Sequence, residues 1–194
     1  ETVEELESLS NVRLMPRTTV TGAYDQGTYG ALERVSSQLA RPAPGLPREC
    51  FWRIAAKRAV LAAGALERPV AFAGNDRPGV MLASAMRSYL HRWGVVPGRS
   101  VVVFGNNDDA QRTARDLAAA GVRVVAMVDS RADASEVEGV RTLRGAVVSR
   151  TAGGRHGLQA VNIRHADGRT ESIVTDSLAV SGGWNPAVHL TCHM

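Results

Sequence analysis

The middle of the chain has the clearest pattern of hydrophobic and polar positions. Residues 101–104 form a short, mostly β-branched apolar run, typical of a buried parallel strand rather than of a helix. Gly105 ends this run, and over residues 108–120 apolar side chains recur at spacings of three and four, which predicts a helix ending before Gly121. A second apolar run, residues 122–128, predicts another strand.

This strand, turn, helix and strand are typical of a mononucleotide-binding βαβ unit. Asp129 follows the second strand, about 20 residues past the turn, where such folds place the carboxylate that binds a ribose. The helix N-terminus offers free amides and a positive dipole end to a pyrophosphate, and the carboxylate can accept both ribose hydroxyls. Because that carboxylate would repel a 2′-phosphate, the sequence predicts NAD in preference to NADP.

The fingerprint of such turns, G-x-G-x-x-G/A, is only partly matched. Its three positions hold Gly105, Asn107 and Ala110, so the second position departs from the pattern. Asn107 tolerates left-handed backbone angles and can donate a hydrogen bond, which predicts weakened rather than abolished binding. Asp108 and Asp109 add negative charge beside the phosphate position, and Arg131 leaves NADP open as a ligand.

The same residues also have a structural interpretation. Asp108 or Asp109 would then only cap a helix, in a Rossmann-like domain whose ligand site has decayed. Under the binding interpretation, two groups of residues are the candidates. The pyrophosphate is expected at Gly105, Asn106, Asn107 and Asp108, and the adenosine ribose at Asp129, Ser130 and Arg131.

The flanking segments predict further elements. Before the βαβ unit we expect a helix at 1–10, a β-meander with strands at 12–15, 18–24, 28–35 and 51–54, a buried strand at 58–61 and a helix at 82–93 with Tyr89 inward. After it we expect strands at 140–143, 146–150, 158–165 and 170–174, which suit a second meander, and a strand at 176–181.

Composition and charge exclude several classes of function. Of 194 residues 44% are hydrophobic, yet no apolar run approaches the ~18 residues of a membrane helix. The acidic residues 1–7 are unlike a signal peptide, so a cytoplasmic protein without a membrane partner is expected. The net charge of +4 comes from scattered arginines, and aromatic residues make up 5%, which argues against nucleic-acid binding.

Cysteine and histidine predict neither redox nor metal chemistry. Cys50 and Cys192 are far apart in sequence, which argues against a C-x-x-C pair. His189, Cys192 and His193 match no usual zinc spacing and have no second ligand group upstream. No nucleophile, base and orienting group can be assembled from the sequence, so no catalytic residue is predicted.

Longer motifs carry a family resemblance. The stretch AAGALERP resembles the A-T-G motif at which two-dinucleotide-domain flavoproteins pass from an FAD domain to an NAD domain. More specific are DRPGVMLASAMRSYLHRWGVVPGRSVVVFGNNDDAQRTARDLAAAG, VDSR and the closing TDSLAVSGGWNPAVHL. On these motifs nearly the whole chain resembles the alpha subunit of heterotetrameric sarcosine oxidase, a family in which the departure at Asn106, Asn107 and Asp108 is typical.

The resemblance implies an α/β fold. A Rossmann-like NAD-binding domain, with a parallel sheet, helices and a β-meander, would be inserted in part of an FAD-type domain. The expected boundaries are 1–69 for the partial FAD-type domain, 70–171 for the NAD-binding domain and 172–194 for a return into the FAD-type domain. The chain is then expected to be an internal fragment that is inactive by itself.

The resemblance further implies a role in a multi-subunit flavoenzyme. Such complexes demethylate sarcosine oxidatively to glycine, reduce oxygen to peroxide and pass the one-carbon unit to tetrahydrofolate. Substrate oxidation would occur at FAD in the beta subunit, with FMN between alpha and beta and NAD on the alpha subunit. The implied partners of this chain are therefore the beta, gamma and delta subunits.

Some assignments stay open on the sequence. Gly64, Gly182 and Gly183 are expected at strand ends facing the cofactor, but tight turns explain them equally well. A subunit of a related amine, opine or hydroxyproline dehydrogenase would share the layout. A structural module that holds its partners without binding a nucleotide is the alternative from a different class.

Overall fold

The computed structural model describes residues 2–193, which divide into two compact units. The first unit comprises the residues up to Gly64 together with those from Ala187 onward, and the second comprises Ala65–Pro186. These limits differ from the boundaries expected at 69/70 and 171/172, and the strand over residues 177–181 lies within the second unit's sheet. The division into an FAD-type and an NAD-binding domain stays a prediction.

The first unit contains an antiparallel meander. Its elements are the helix α1 (Thr2–Ser8) and the strands β1 (Thr18–Tyr24), β2 (Thr28–Arg34) and β3 (Glu49–Ala55), in the sheet order β1-β2-β3. Gln26 and Gly27 both have positive φ, 59° and 67°, in the turn between β1 and β2. The predicted strands at 18–24, 28–35 and 51–54 are confirmed, whereas residues 12–15 form no strand because they gain no strand partner.

Residues 58–61 do not form the buried strand that their apolar pattern predicted. Val60 is 92% exposed, and Leu61 is exposed as well. A strand needs a neighbour to satisfy its backbone groups, and no strand between residues 2 and 193 pairs with this segment. An apolar run therefore predicts a strand only where the fold supplies that neighbour.

The second unit contains ten strands and two helices. They are β4 (Ala65–Glu67), β5 (Val80–Leu82), α2 (Ala83–Trp93), β6 (Ser100–Gly105), α3 (Asp108–Ala119), β7 (Arg123–Asp129), β8 (Thr142–Arg144), β9 (Ala146–Gly154), β10 (Gly157–His165), β11 (Thr170–Val174), β12 (Ser177–Ser181) and β13 (Trp184–Pro186). Five strands form a parallel sheet in the order β5-β12-β6-β7-β8. A separate antiparallel meander has the order β11-β10-β9, and β4 pairs with β13.

Alternate residues of β6 pack on opposite faces of the parallel sheet. Val101 and Val103 belong to a core shared with helices α2 and α3, whereas Val102 and Phe104 belong to a core shared with the β9–β11 meander. Because successive side chains of a strand point to opposite faces, a strand segment covered on both faces must be apolar throughout, as residues 101–104 of β6 are. The predicted three-part arrangement of helices, sheet and meander is confirmed.

Two predicted details are wrong. Residues 140–143 were expected in the meander, but β8 lies at the edge of the parallel sheet, where its three residues pair with the end of β7. Tyr89 was expected to face inward from α2, yet it is 44% exposed and packs on Trp93 instead. Ala83 and Met86 are the buried residues of that helix.

In the part of the chain that the structure describes, no helix combines the length and apolar character needed to cross a membrane.

Candidate functional site

Helix α3 begins beside the carboxyl ends of β6 and β12. Asn107 is its N-cap, and the Asn107 Oδ1 accepts a hydrogen bond from the N–H of Ala110 at 3.1 Å. The Asn107 Nδ2 donates to the carbonyl oxygen of Ser181 at 3.2 Å and to its Oγ at 3.1 Å. Asn107 thereby fixes the start of the helix to the end of β12.

This position is the point at which the strand order reverses. From β6 the chain runs to β7 and β8 on one side, and β12 then returns on the other side of β6. In open parallel sheets, ligands bind in the crevice outside such a reversal. Asn107 and Ser181 lie at the crevice between β6 and β12, so the helix start occupies the place where a dinucleotide fold receives its ligand.

Gly105 is required by the close approach of helix and strand. A Cβ added to Gly105 would lie 2.5 Å from the Cβ of Ala110 and 2.9 Å from the carbonyl oxygen of Ser181. The carbonyl of Gly105 also accepts a hydrogen bond from the N–H of Ser130 at 3.1 Å. The first and third positions of the fingerprint, Gly105 and Ala110, are therefore in contact, which explains the small residue at each.

Asp129 is completely buried, and both of its carboxylate oxygens already have donors. Its Oδ1 accepts from the backbone N–H of Arg131 at 2.9 Å and from the Arg131 Nε at 3.1 Å. Its Oδ2 accepts from the Arg131 Nη2 at 2.9 Å and from the Gln111 Nε2 at 3.3 Å. A ribose can therefore reach this carboxylate only where it displaces the guanidinium group.

Arg131 connects the end of β7 to the start of α3. Besides holding Asp129, its Nη1 lies 2.8 Å from the Oδ1 of Asp108, whose side chain is 84% exposed. Hydrogen bonds from the guanidinium to Asp129 and then to Asp108 raise the pKa of Arg131 above its ordinary value, so the side chain stays protonated.

The acidic residues at the helix start are paired with arginines. The Arg87 Nη1 donates to the Oδ1 of Asp109 at 3.1 Å, and its Nε donates to the Oδ2 of Asp116 at 2.9 Å. Arg87 belongs to α2, so these bonds also join the two helices. With Asp108 paired to Arg131, both carboxylates that threatened to repel a phosphate have a cationic partner.

The structure brings together seven of the ten candidate residues. Gly105 and Asp129 are register partners at the ends of β6 and β7, and the other five adjoin them in sequence. The remaining three are Gly64, Gly182 and Gly183. Gly64 belongs to the first compact unit, where its carbonyl accepts from the N–H of Ala187.

Gly182 and Gly183 lie where the chain leaves β12, and their backbone groups are used within the second unit. The N–H of Gly182 donates to the carbonyl of Arg68 at 2.7 Å, and the carbonyl of Gly183 accepts from the N–H of Arg68 at 2.8 Å. A Cβ at Gly182 would lie 2.9 Å from that same carbonyl of Arg68. The close approach of the backbone therefore accounts for Gly182, and a φ of +90° accounts for Gly183.

Sequence reasoning missed two polar residues that support the site. Gln111 is buried and donates a hydrogen bond to Asp129. Its position could have indicated this burial, because it lies three residues before Ala114 and therefore on the apolar face of the helix. Ser181 receives the Asn107 amide, but nothing in its sequence context marks that contact.

Glu67 is a third missed residue, and it caps helix α2. The N-cap position, Leu82, offers no side-chain acceptor, and the Glu67 Oε2 instead accepts from the N–H of Ser84 at 2.8 Å. We expect Glu67→Ala to lower the free energy of unfolding by about 1 kcal/mol, the usual effect of losing an N-cap acceptor. Urea denaturation followed by circular dichroism measures this loss.

Glu67→Gln retains an oxygen acceptor and is expected to recover most of that stability. Glu138→Ala, at an exposed position, is the control and should leave the denaturation midpoint unchanged. Equal losses for Glu67→Ala and Glu67→Gln would contradict a capping role.

Comparisons with known proteins agree with this architecture. No protein-family model matches the chain. The sarcosine oxidase alpha subunit of Rhizobium meliloti (strain 1021) is 50% identical over 195 aligned residues, which cover 100% of this chain and 20% of that protein. The chain thus spans about a fifth of the length of the curated relatives it matches.

Two solved structures show the same fold. The L-proline dehydrogenase from P. horikoshii superposes with a TM-score of 0.66 and 21% identity, and the superposition covers 99% of this chain and 33% of the dehydrogenase chain. A FAD-dependent pyridine nucleotide-disulphide oxidoreductase from Desulfovibrio vulgaris gives a TM-score of 0.58 and 15% identity, and this superposition covers 91% of this chain and 45% of the oxidoreductase chain. The chain has the α/β fold of FAD- and NAD-dependent oxidoreductases, and over its whole length it is homologous in sequence to about one fifth of the sarcosine oxidase alpha subunits.

Proposed function

We propose that this chain is the NAD-binding portion of the alpha subunit of a cytoplasmic, multi-subunit sarcosine oxidase. The observation that carries the proposal is the start of α3, which Asn107 fixes over the crevice between the carboxyl ends of β6 and β12. Parallel sheets bind dinucleotides at such a crevice, with the pyrophosphate against the helix N-terminus.

The residues at the helix start fit a pyrophosphate. The first N–H groups of a helix have no acceptor within the helix, and in α3 only that of Ala110 is capped by Asn107. Gly105 adds no side chain beside them, and Arg131 and Arg87 offset the charges of Asp108 and Asp109. These residues would hold and orient a dinucleotide, and its nicotinamide supplies hydride transfer when bound.

The activity of the whole complex is part of the proposal. We infer oxidative demethylation of sarcosine to glycine, with oxygen reduced to peroxide and the one-carbon unit passed to tetrahydrofolate. FAD and FMN would belong to the assembled enzyme, together with the beta, gamma and delta subunits. A subunit of a related amine, opine or hydroxyproline dehydrogenase is the alternative assignment. The two are distinguished by the rate at which the assembled complex oxidises sarcosine, compared with its rates on amines, opines and hydroxyproline.

One observation favours a second candidate, a structural module that binds no nucleotide. Both oxygens of Asp129 are occupied by protein donors, so the ribose position is closed. Helix capping by Asn107 and the ion pairs of Arg131 would then serve only to hold helix and sheet together.

Titration of the intact chain with NAD, ADP-ribose and NADP by calorimetry tests the proposal. We expect saturable binding of NAD and ADP-ribose. Asn107→Ala should weaken both by roughly tenfold, or about 1.4 kcal/mol, because the helix start loses its anchor to Ser181.

Asn185→Ala removes an amide from an exposed position of β13 and should leave NAD binding unchanged. Circular dichroism of each variant verifies folding. A folded wild-type chain that binds none of the three ligands would exclude the NAD-binding proposal and favour the structural module.

A further inference from the structure

Arg131 occupies the place in which the sequence predicted a ribose. Resting on the proposed function, we propose that Arg131 is the specificity-determining residue of the adenosine subsite. Its guanidinium is an internal competitor of the ribose, because it takes the two oxygens of Asp129 that the 2′- and 3′-hydroxyls would take.

The geometry of the ion pair carries this assignment. The Arg131 Nε and Nη2 donate to different oxygens of Asp129, at 3.1 and 2.9 Å. A ribose diol presents two hydroxyl donors to a carboxylate in the same two-pronged manner. With Gln111 and the backbone N–H of Arg131 as further donors, the buried carboxylate has four hydrogen bonds, which is about its capacity.

The contact can open without rearrangement of the backbone. The Arg131 side chain is 33% exposed, so its guanidinium can move into solvent while the backbone N–H of Arg131 and Gln111 keep their bonds to Asp129. The second anchor of the guanidinium is Asp108, which is 84% exposed, and exposed ion pairs are weak. Departure of the side chain would leave one acceptor site free on each oxygen of Asp129.

This arrangement lowers the affinity for NAD without creating a site for NADP. A 2′-phosphate that arrived at Arg131 would meet the carboxylates of Asp129 and Asp108 as well, and the three side chains together carry a charge of −1. A site that selects NADP needs an arginine free to pair with that phosphate. Arg131 therefore acts on the affinity for the unphosphorylated ribose.

Arg131→Ser tests the inference, because it removes the guanidinium and keeps the backbone N–H. We expect NAD and ADP-ribose to bind about tenfold more tightly, the gain that follows if the closed form holds roughly nine-tenths of the molecules. NADP should gain less, since the freed Asp129 repels its 2′-phosphate. Calorimetric titration of the intact chain gives the three dissociation constants.

Two further variants keep the test decisive. Arg131→Met retains the aliphatic part of the side chain and should reproduce the gain if Arg131→Ser folds poorly. Arg144→Ser removes an arginine of the neighbouring strand β8 that pairs with the exposed Glu136, and should change NAD affinity by less than about twofold.

Each outcome separates this inference from the proposed function. If wild type binds NAD and both Arg131 variants bind it equally or less tightly, Arg131 is not a competitor and the inference is wrong. If only the Arg131 variants bind NAD, the inference holds and NAD binding by the native chain is excluded. If folded wild type and variants all fail to bind NAD, ADP-ribose and NADP, both are wrong.

Discussion

Gly105→Val is expected to destabilise the chain by about 3 kcal/mol or more, as overpacking at a site that cannot yield. The Cβ would lie 2.5 Å from the Cβ of Ala110 and 2.9 Å from the Ser181 carbonyl. Relief requires α3 to move off the sheet, and the contacts of Asn107 with β12 would be lost with it. The midpoint of urea denaturation measures the loss.

Gly154→Val is the matched control for this prediction. Gly154 has no positive φ, and a Cβ there meets no atom within 4 Å. The same substitution should change the free energy of unfolding by no more than about 0.5 kcal/mol. Equal effects at the two glycines would mean that helix and strand are not in contact at Gly105.

A valine at Gly105 also makes a poor test of NAD binding, since loss of binding would follow from unfolding.

Asp129→Ala is expected to lower the free energy of unfolding by about 2 to 4 kcal/mol. Removal of one partner from a fully buried pair typically costs 3–5 kcal/mol, and the lower range applies because Arg131 is partly exposed and keeps Asp108. Gln111 would also be left buried without its acceptor. Thermal or urea unfolding followed by circular dichroism checks the loss.

Asp108→Ala is the control, because it removes the other carboxylate from the same arginine. Asp108 is 84% exposed, so the expected loss is about 1 kcal/mol or less, from a surface ion pair and a favourable charge at the helix start. If Asp108→Ala costs as much as Asp129→Ala, the buried pair is not the main contact of Arg131.

These predictions concern the carboxyl ends of β6, β7 and β12, where the fold and the proposed NAD site use the same residues. Asn107 caps a helix and also spans the crevice, and the buried Asp129 holds the partly exposed Arg131 at the proposed position of a ribose. Stability measurements and ligand titrations on the same variants are therefore both needed. Substitution of a residue that serves only the fold lowers the free energy of unfolding, but the molecules that remain folded still bind the ligand with unchanged affinity.

The sequence by itself determined the βαβ unit. Residues 101–104 and 122–128 are apolar enough to be buried on both faces, the helix between them has a regular apolar stripe, and Gly121 ends it with a φ of +79°. The N–H groups of Gly121 and Val122 close that end by bonding to the carbonyls of Ala118 and Leu117. Such signals are local, because each depends on residues within one or two turns.

Only the tertiary structure decided which neighbours each segment meets. Residues 58–61 and 177–181 are both short, mostly apolar runs, yet the first pairs with no strand among the described residues 2–193 and the second lies between β5 and β6. Asp129 carried the signal of a ribose ligand, and the fold places it where Arg131 and Gln111 use both of its oxygens. Arg131 is only two positions from Asp129, whereas Gln111 is 18 positions away. Whether either side chain bonds to that carboxylate depends on which groups the packed helix and strand bring within about 3 Å of it, and the pattern of residues along the chain does not encode this.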